Sequence, residues 1–344
     1  MNEIKSYFDL ILASFFNYKN DSMKDVNKME NDFKSIGEKY LKCLSFNYKD
    51  RINKIKEGIE LNEKFLLSIV NKYSINYKNN KDLITRQSEI DKLRYTLKLF
   101  IRDWTIEGKI ERDITYNPII DEIKKYYLDN NNKNKKILVP GAGLCRLAYE
   151  IGKLGFNIDA IEVSYYMIIC TDFIFNSNNT INKYKFEPLI HSFNCLKYEN
   201  SPFQIFNFPD ENINEVMNSP IFGEINIIPG DFVKNYKNIK NYYDGVITSF
   251  FLDTANNIIE FIEIIYNITK KEGIWINVGP LLYHFHDIKN EVSIELSWEE
   301  IKKIIINFGF EIKNEKIIDS IYSSVEERLK KTIYSCIFFT AIKK

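Results

Sequence analysis

Neither sign of charge prevails in this chain. Lys plus Arg and Asp plus Glu each number 47, so the 344 residues carry a formal charge of zero. Binding to phosphate backbones calls for basic blocks interleaved with aromatics, and none is present, which speaks against a nucleic-acid partner. A disulfide framework is missing as well. Cys43, Cys145, Cys170, Cys195 and Cys336 are scattered, without a C-x-x-C pair. Such thiols suit a reducing compartment, so the expected location is cytoplasmic, with the nucleus as a further one. Long apolar runs are also lacking. The stretch Leu10-Ile11-Leu12-Ala13 is too short for a signal core or a membrane span, and no membrane partner is expected. Histidine is scarce, limited to His191, His284 and His286. His284, His286 and Asp287 are strictly local ligands without a partner cluster, so no metal is expected.

What is present divides into two patterns. Up to about residue 130 the apolar positions follow helical spacing, as in Phe65, Leu66, Ile69, Val70 and Tyr73, and in Leu93, Leu97, Phe100, Ile101 and Trp104. Gly108 reads as a helix stop and Pro118 as the opening of another short helix. The polar run from Asp129 to Lys136 reads as a linker. The expected domains are therefore a helical region over 1–130 and an α/β domain over 131–344. In the latter, strand-like runs at Ile137–Pro140, Ile158–Val163, Ile225–Pro229, Gly245–Phe251 and Gly273–Val278 alternate with helical segments. Continuous apolar strands between amphipathic helices predict a parallel sheet covered on both faces. The runs Glu311–Tyr322 and Thr332–Ala341 have no long helix between them and predict an antiparallel hairpin at one edge. Residues 177–223, rich in Asn, Phe and Pro, fit no element and are expected to form an insertion over the substrate pocket.

The first strand leads into Pro140-Gly141-Ala142-Gly143-Leu144, and Glu162 closes the second strand about twenty residues on. Glycines let a ligand approach the backbone, the helix start behind them offers free N–H groups, and a carboxylate at the second strand's end can accept ribose hydroxyls. This is half of a nucleoside site. NAD uses the same geometry, although the third glycine that eases packing beneath a pyrophosphate is absent. Asp253 ends the strand filled by Val246, Ile247, Phe250, Phe251 and Leu252. There it is either a ligand contact at the sheet's carboxyl edge or the N-cap of the following helix. His284 follows Gly279-Pro280 at the same edge, as a ligand contact or a structural residue. Asp231, in Pro229-Gly230-Asp231-Phe232, is by itself an ordinary turn aspartate, and Arg102, beside the apolar stripe of its helix, an ordinary surface arginine.

Five strings together resemble the carnosine N-methyltransferase family: Leu138 to Leu144, Arg102-Asp103-Trp104, Glu111-Arg112-Asp113 with Tyr116 and Pro118, Phe250 to Ala255, and Gly279-Pro280-Leu281-Leu282-Tyr283-His284-Phe285. The resemblance covers the chain from about Leu93 onward. It implies a Rossmann-like class I methyltransferase sheet, with a parallel core and an antiparallel C-terminal edge hairpin, plus the N-terminal helices. It further implies S-adenosyl-L-methionine as cofactor and methylation of the imidazole of carnosine to anserine. By resemblance, Arg102 meets the cofactor's methionine carboxylate. Gly141, Gly143 and Glu162 would hold its nucleoside, and Asp231 with Phe232 its adenine. Asp253 and His284 would contact the substrate imidazole, and Tyr322 and Tyr334 the dipeptide. Two departures stand out: Cys145 where the family has a further glycine, and Leu99 where it has glutamine.

Other readings stay open on sequence grounds. One is methylation of a peptide or protein histidine. Another is an NAD-dependent oxidoreductase, and a third a non-catalytic adaptor that retains the fold. The N-terminal helices also offer a surface through which two copies would pair.

Overall fold

The computed structural model describes residues 2–73, 85–127, 134–322 and 328–344. Residues 129–133 of the expected linker, and the boundary placed within it, lie outside the described residues. The chain folds as two compact units, one made of Met1–Glu107, Asp172–Ile213 and Val325–Lys330, the other of Gly108–Thr171, Asn214–Ser324 and Lys331–Lys344.

The first unit is helical. Its long elements are α1 (Asn2–Phe16), α2 (Tyr18–Ser35), α4 (Tyr48–Val70) and α5 (Gln87–Trp104), with the single turn α3 (Glu38–Leu41) between α2 and α4. The first part of the unassigned stretch folds with these helices, as a short hairpin of β3 (Tyr184–Phe186) and β4 (Phe206–Phe208). Aromatic packing explains why. The Phe65 ring lies 5.0 Å from Phe186, 5.1 Å from Phe100 and 5.7 Å from Phe208, centroid to centroid. Asn62 adds polar register, donating to Glu187 O at 2.9 Å while accepting from Glu187 N at 2.7 Å. A buried amide satisfied on both sides specifies one docking of hairpin on helix.

The second unit opens with α6 (Lys109–Tyr126), which runs straight through Pro118. The expected stop at Gly108 and start at Pro118 are thus corrected: Gly108 is the N-cap of a longer helix. Proline's missing N–H and ring clash cost about 3 kcal/mol inside a helix, and tertiary anchoring offsets this. Glu122 supplies some of it, accepting from Thr340 Oγ1 and Asn314 Nδ2, both at 3.1 Å.

The sheet comprises β1 (Lys136–Pro140), β2 (Asn157–Glu162), β5 (Ile225–Pro229), β6 (Tyr243–Ser249), β7 (Thr269–Gly279), β8 (Phe310–Ile321) and β9 (Ile333–Lys343) in the order β5-β2-β1-β6-β7-β9-β8. The first five are parallel, while β9 runs antiparallel to both β7 and β8. Between the strands lie α7 (Arg146–Gly152), α8 (Tyr165–Asn176), the short α9 (Ile213–Met217) and α10 (Phe232–Tyr236), α11 (Ile258–Ile268) and α12 (Trp298–Phe308). Amphipathic spacing seats the last two. Ile258, Ile262 and Ile265 of α11 and Ile301 and Ile305 of α12 are buried against Trp275, Phe310 and Phe339. A Ser297–Glu300 capping box starts α12, and left-handed Gly309 ends it.

The strand order reverses between β1 and β6. Connections leave that pair on opposite sides, so a crevice opens at the strands' carboxyl ends. The functional turns meet there.

One buried polar knot secures the middle of the sheet. The Asp159 carboxylate accepts from Tyr243 Oη at 2.6 Å, Lys136 Nζ at 2.9 Å and Asn226 Nδ2 at 3.2 Å. Tyr243→Phe should cost about 1–3 kcal/mol by leaving that buried carboxylate short of a donor. The urea midpoint checks this, and a shift within error of zero would show that the knot carries no stability.

Candidate active site

The turn after β1 is built on left-handed backbone. Gly141 has φ +64° and Gly143 φ +57°, a region that L side chains enter only at a cost. Gly141 is also constrained by space: a Cβ there would stand 2.6 Å from Cδ2 of Phe251. The turn after β1 therefore rests on the aromatic ring that follows β6. At Gly143 a Cβ would meet nothing within 4 Å, so its face of the turn is open. Cys145, which stands where the family has a further glycine, is buried and adopts left-handed backbone at φ 59°. A side chain in that region costs about 1–2 kcal/mol.

Glu162 ends β2 with its side chain buried and turned onto backbone. Its Oε2 accepts from Gly143 N at 2.8 Å, and its Oε1 from Val163 N at 2.9 Å and Ser164 N at 2.8 Å. Burial raises this carboxyl above the ordinary glutamate range, and the three N–H donors oppose the rise. The acid thus sets the shape of both turns. A carboxylate offers about four lone-pair directions, so three donors leave capacity for a ligand hydroxyl.

The turn after β5 lies next along the edge, with Gly230 N donating to Glu162 O at 2.9 Å. Asp231 caps α10, its Oδ1 accepting from Lys234 N at 2.9 Å, so the ordinary turn role weighed for it is present. Phe232 is buried, edge-on to Phe251 at 5.3 Å and to Phe261 at 5.0 Å. Its ring supports Phe251, the residue on which Gly141 rests.

Asp253 sits in a single 3-10 turn, Leu252–Thr254, after β6 and is 2% exposed. It does not cap the next helix. Asn257 does, its side chain accepting from Ile259 N and Glu260 N. The Asp253 carboxylate instead accepts from Leu282 N at 3.0 Å, and its carbonyl accepts from His284 N at 2.9 Å. The turn after β6 and the loop after β7 are therefore one structure. Burial raises the Asp253 carboxyl above its ordinary value, opposed by the Leu282 N–H and by the proximity of the His284 ring. His284 itself is exposed, whereas its neighbour His286 pairs with Glu295 at 2.8 Å.

Tyr322 and Tyr334 come together at the end of the hairpin, 5.9 Å apart, with the Phe250 ring 4.8 Å from Tyr322 and 6.4 Å from Tyr334. Gly141, Gly143, Glu162, Asp231, Phe232, Asp253, His284 and these tyrosines all lie on turns at the carboxyl edge of one sheet, or on the hairpin beyond it. Arg102 belongs to the helical unit, where its guanidinium forks onto the buried carboxylate of Asp103 at 2.8 and 2.9 Å.

Three residues without an assigned sequence role complete the site. Phe250 and Tyr283 are non-glycine residues at φ 51° and 50°, the kind of outlier that clusters at functional turns. Phe251 supports the glycine turn. Tyr283 is buried, and its hydroxyl donates to Leu296 O and accepts from Leu296 N at 2.9 Å, fixing the loop just before His284. The paired phenylalanines ahead of Leu252-Asp253 were the available signal. Tyr283 stands within the Gly279–Phe285 string, which marks the loop but gives this one of 22 tyrosines no role of its own.

A five-stranded parallel sheet closed by a reversed hairpin, with a glycine turn and a carboxylate flanking its switch point, defines a class I methyltransferase fold. Comparison with known proteins makes this particular. The family model for carnosine N-methyltransferase matches residues 79–344. Carnosine N-methyltransferase of Mus musculus is 37% identical over 350 residues, covering 98% of this chain and 86% of that protein. The Dictyostelium discoideum protein of that name is 32% identical, covering 98% and 76%, and that of Schizosaccharomyces pombe 28%, covering 94% and 92%. The chain belongs to the carnosine N-methyltransferase family.

Tyr283→Phe should raise the KM for the imidazole acceptor severalfold and cost about 1–3 kcal/mol, because the Leu296 peptide loses its buried partner. Cofactor affinity should stay unchanged. Titration calorimetry and steady-state kinetics separate the two, and equal loss of both would show a general folding defect.

Proposed function

We propose that the protein methylates an imidazole nitrogen of carnosine, giving anserine. The observation that carries this reading is Asp253: a buried carboxylate at the switch point, tied by its own peptide to His284. S-adenosylmethionine, when bound, supplies an electrophilic methyl group on a sulfonium. The chain fits that cofactor at the open face of Gly143, where nothing would crowd a nucleoside against the turn. Gly141, Gly143 and Glu162 would hold the nucleoside, and Asp231 and Phe232 the adenine.

The acceptor needs little activation. An imidazole with a pKa near about 6.5 is largely neutral at pH 7, so one nitrogen already carries a free lone pair. The chain must choose which one. A carboxylate that accepts the N–H of one nitrogen leaves the other free to attack, and it stabilises the positive charge that the ring gains on methylation. Asp253 is suited to this because its surroundings exclude water, which strengthens its interaction with a cation. His284 would meet the same ring from the neighbouring loop, and Tyr322 and Tyr334 would flank the dipeptide with aromatic surface.

Asp253→Asn keeps an acceptor for Leu282 N but removes the charge. Its kcat should fall about a hundredfold or more, with S-adenosylhomocysteine affinity by calorimetry nearly unchanged. Comparable loss of both would make Asp253 structural. If the wild type methylates histidine in proteins and leaves carnosine untouched, the acceptor assignment fails.

The raised carboxyl pKa predicts a linked stability effect. Between the unfolded value of about 3.9 and the higher folded one, the folded state holds the extra proton. Stability is therefore lost as pH rises through that window. Asp253→Asn should be more stable than wild type at pH 7, with the difference vanishing below about pH 4. Denaturant midpoints across pH measure it, and a constant difference would contradict the burial cause.

A further inference from the structure

The helical unit carries a group of cations that the methyl-transfer reading does not use. Arg94 and Lys98 stand one turn apart on α5 and therefore share a face. Arg328 joins the same unit, its Nη1 donating to Ser192 Oγ at 3.2 Å and to Asn194 O at 3.1 Å. His191, next to Ser192, is bonded through Nε2 to Tyr18 Oη at 2.6 Å. Tyr18 lies one helical turn before Ser22, to which Arg94 Nη2 donates at 3.4 Å.

Arg94 Nε and Arg328 Nη2 are buried without a hydrogen-bond partner among the described residues. Lys98 is half-buried and makes no hydrogen bond or ion pair among the described residues. Asp25, 2.7 Å from Arg94 Nη2, and Asp91, 4.0 Å from Nη1, pair with Arg94 and are themselves exposed. Burial, then Arg328 and Arg94, lowers the Lys98 amine below the usual lysine value. Burial, then Arg94 and Lys98, holds His191 well below the ordinary histidine range, so its ring is neutral.

Buried guanidinium nitrogens without acceptors are rare in folded proteins and call for an explanation such as an unmatched ion. Like charges held together are costly unless something neutralises them. We propose that Arg94, Lys98 and Arg328 form a binding site for an oxyanion, a carboxylate or a phosphate group. Two orphaned N–H groups and one ammonium match such a group, because guanidinium forks complement planar carboxylates and tetrahedral phosphates alike. The site goes beyond the methylation reading and stands without it.

Thermal unfolding of the full-length protein in sodium phosphate or sodium acetate, against sodium chloride at equal ionic strength, tests the site. The wild type should be stabilised by phosphate or acetate in a saturable way. Lys98→Gln should weaken the apparent affinity about tenfold, the share of one charge-assisted hydrogen bond. With no oxyanion present, Lys98→Gln should melt at or above the wild-type temperature, because it relieves repulsion. A purely structural lysine would instead lower it. Arg328→Gln is the second variant, expected to lose the same response.

Kinetics identify the source of the anion. If Lys98→Gln raises KM for carnosine about tenfold but not for its decarboxylated analogue β-alanylhistamine, the site reads the substrate's carboxylate. If KM is unchanged while the phosphate response is lost, it holds a free anion. Equal responses of wild type and both variants to phosphate and acetate, with unchanged KM, would overturn the proposal. The thermal result is independent of whether carnosine proves to be the acceptor.

Discussion

The contact on which the site depends is the bond between Asp253 and the loop after β7. One residue supplies both a carboxylate to Leu282 N and a carbonyl to His284 N. Two segments about thirty residues apart are thereby made into one rim. A carboxylate exposed to water at this edge would be worth little to a cationic ring, since charges in high dielectric interact weakly. A carboxylate buried without donors would take up a proton instead. Asp253 lies between these limits: buried enough to matter, and bonded enough to keep a fixed direction.

The same compromise recurs one turn away. Glu162 is buried and raised in pKa, yet three backbone N–H groups hold it. The two acids lie on either side of the point where strand order reverses, and the Phe251 ring lies against Gly141 there. Strain is concentrated at the same place. Phe250 and Tyr283 occupy left-handed backbone beside Asp253 and His284, and Gly279 passes close to the Phe250 peptide, with a Cβ position 3.1 Å from its nitrogen. Such conformations persist only where the surroundings over-determine them. Here the Tyr283 hydroxyl and the Phe250–Tyr322 ring contact serve that purpose.

Much of this was legible in the chain. Parallel strands read as continuous apolar runs because both faces are covered, and the hairpin betrayed itself by lacking a helix between its strands. The glycine turn and Glu162 were readable through their spacing. Helix boundaries around Gly108 and Pro118 were misread because local propensity yields to tertiary anchoring, here through Glu122 and the hairpin. The hairpin within residues 177–213 stayed hidden for a different reason: its signal is a set of phenylalanines that meet Phe65 and Phe100 from distant segments. Asp253 offered two plausible jobs on sequence grounds. Asn257, four residues on, took the capping one, which no pattern in the aspartate's own neighbourhood announces.

The central claim is that one buried carboxylate selects the tautomer of an imidazole. A crystal structure with S-adenosylhomocysteine and carnosine tests it most directly. Tautomer selection requires an Asp253 oxygen within hydrogen-bonding reach, about 2.7–3.2 Å, of one ring nitrogen, the other nitrogen being directed at the cofactor's sulfur. An imidazole bound with both nitrogens away from Asp253, and that carboxylate still occupied solely by its own loop, would contradict it.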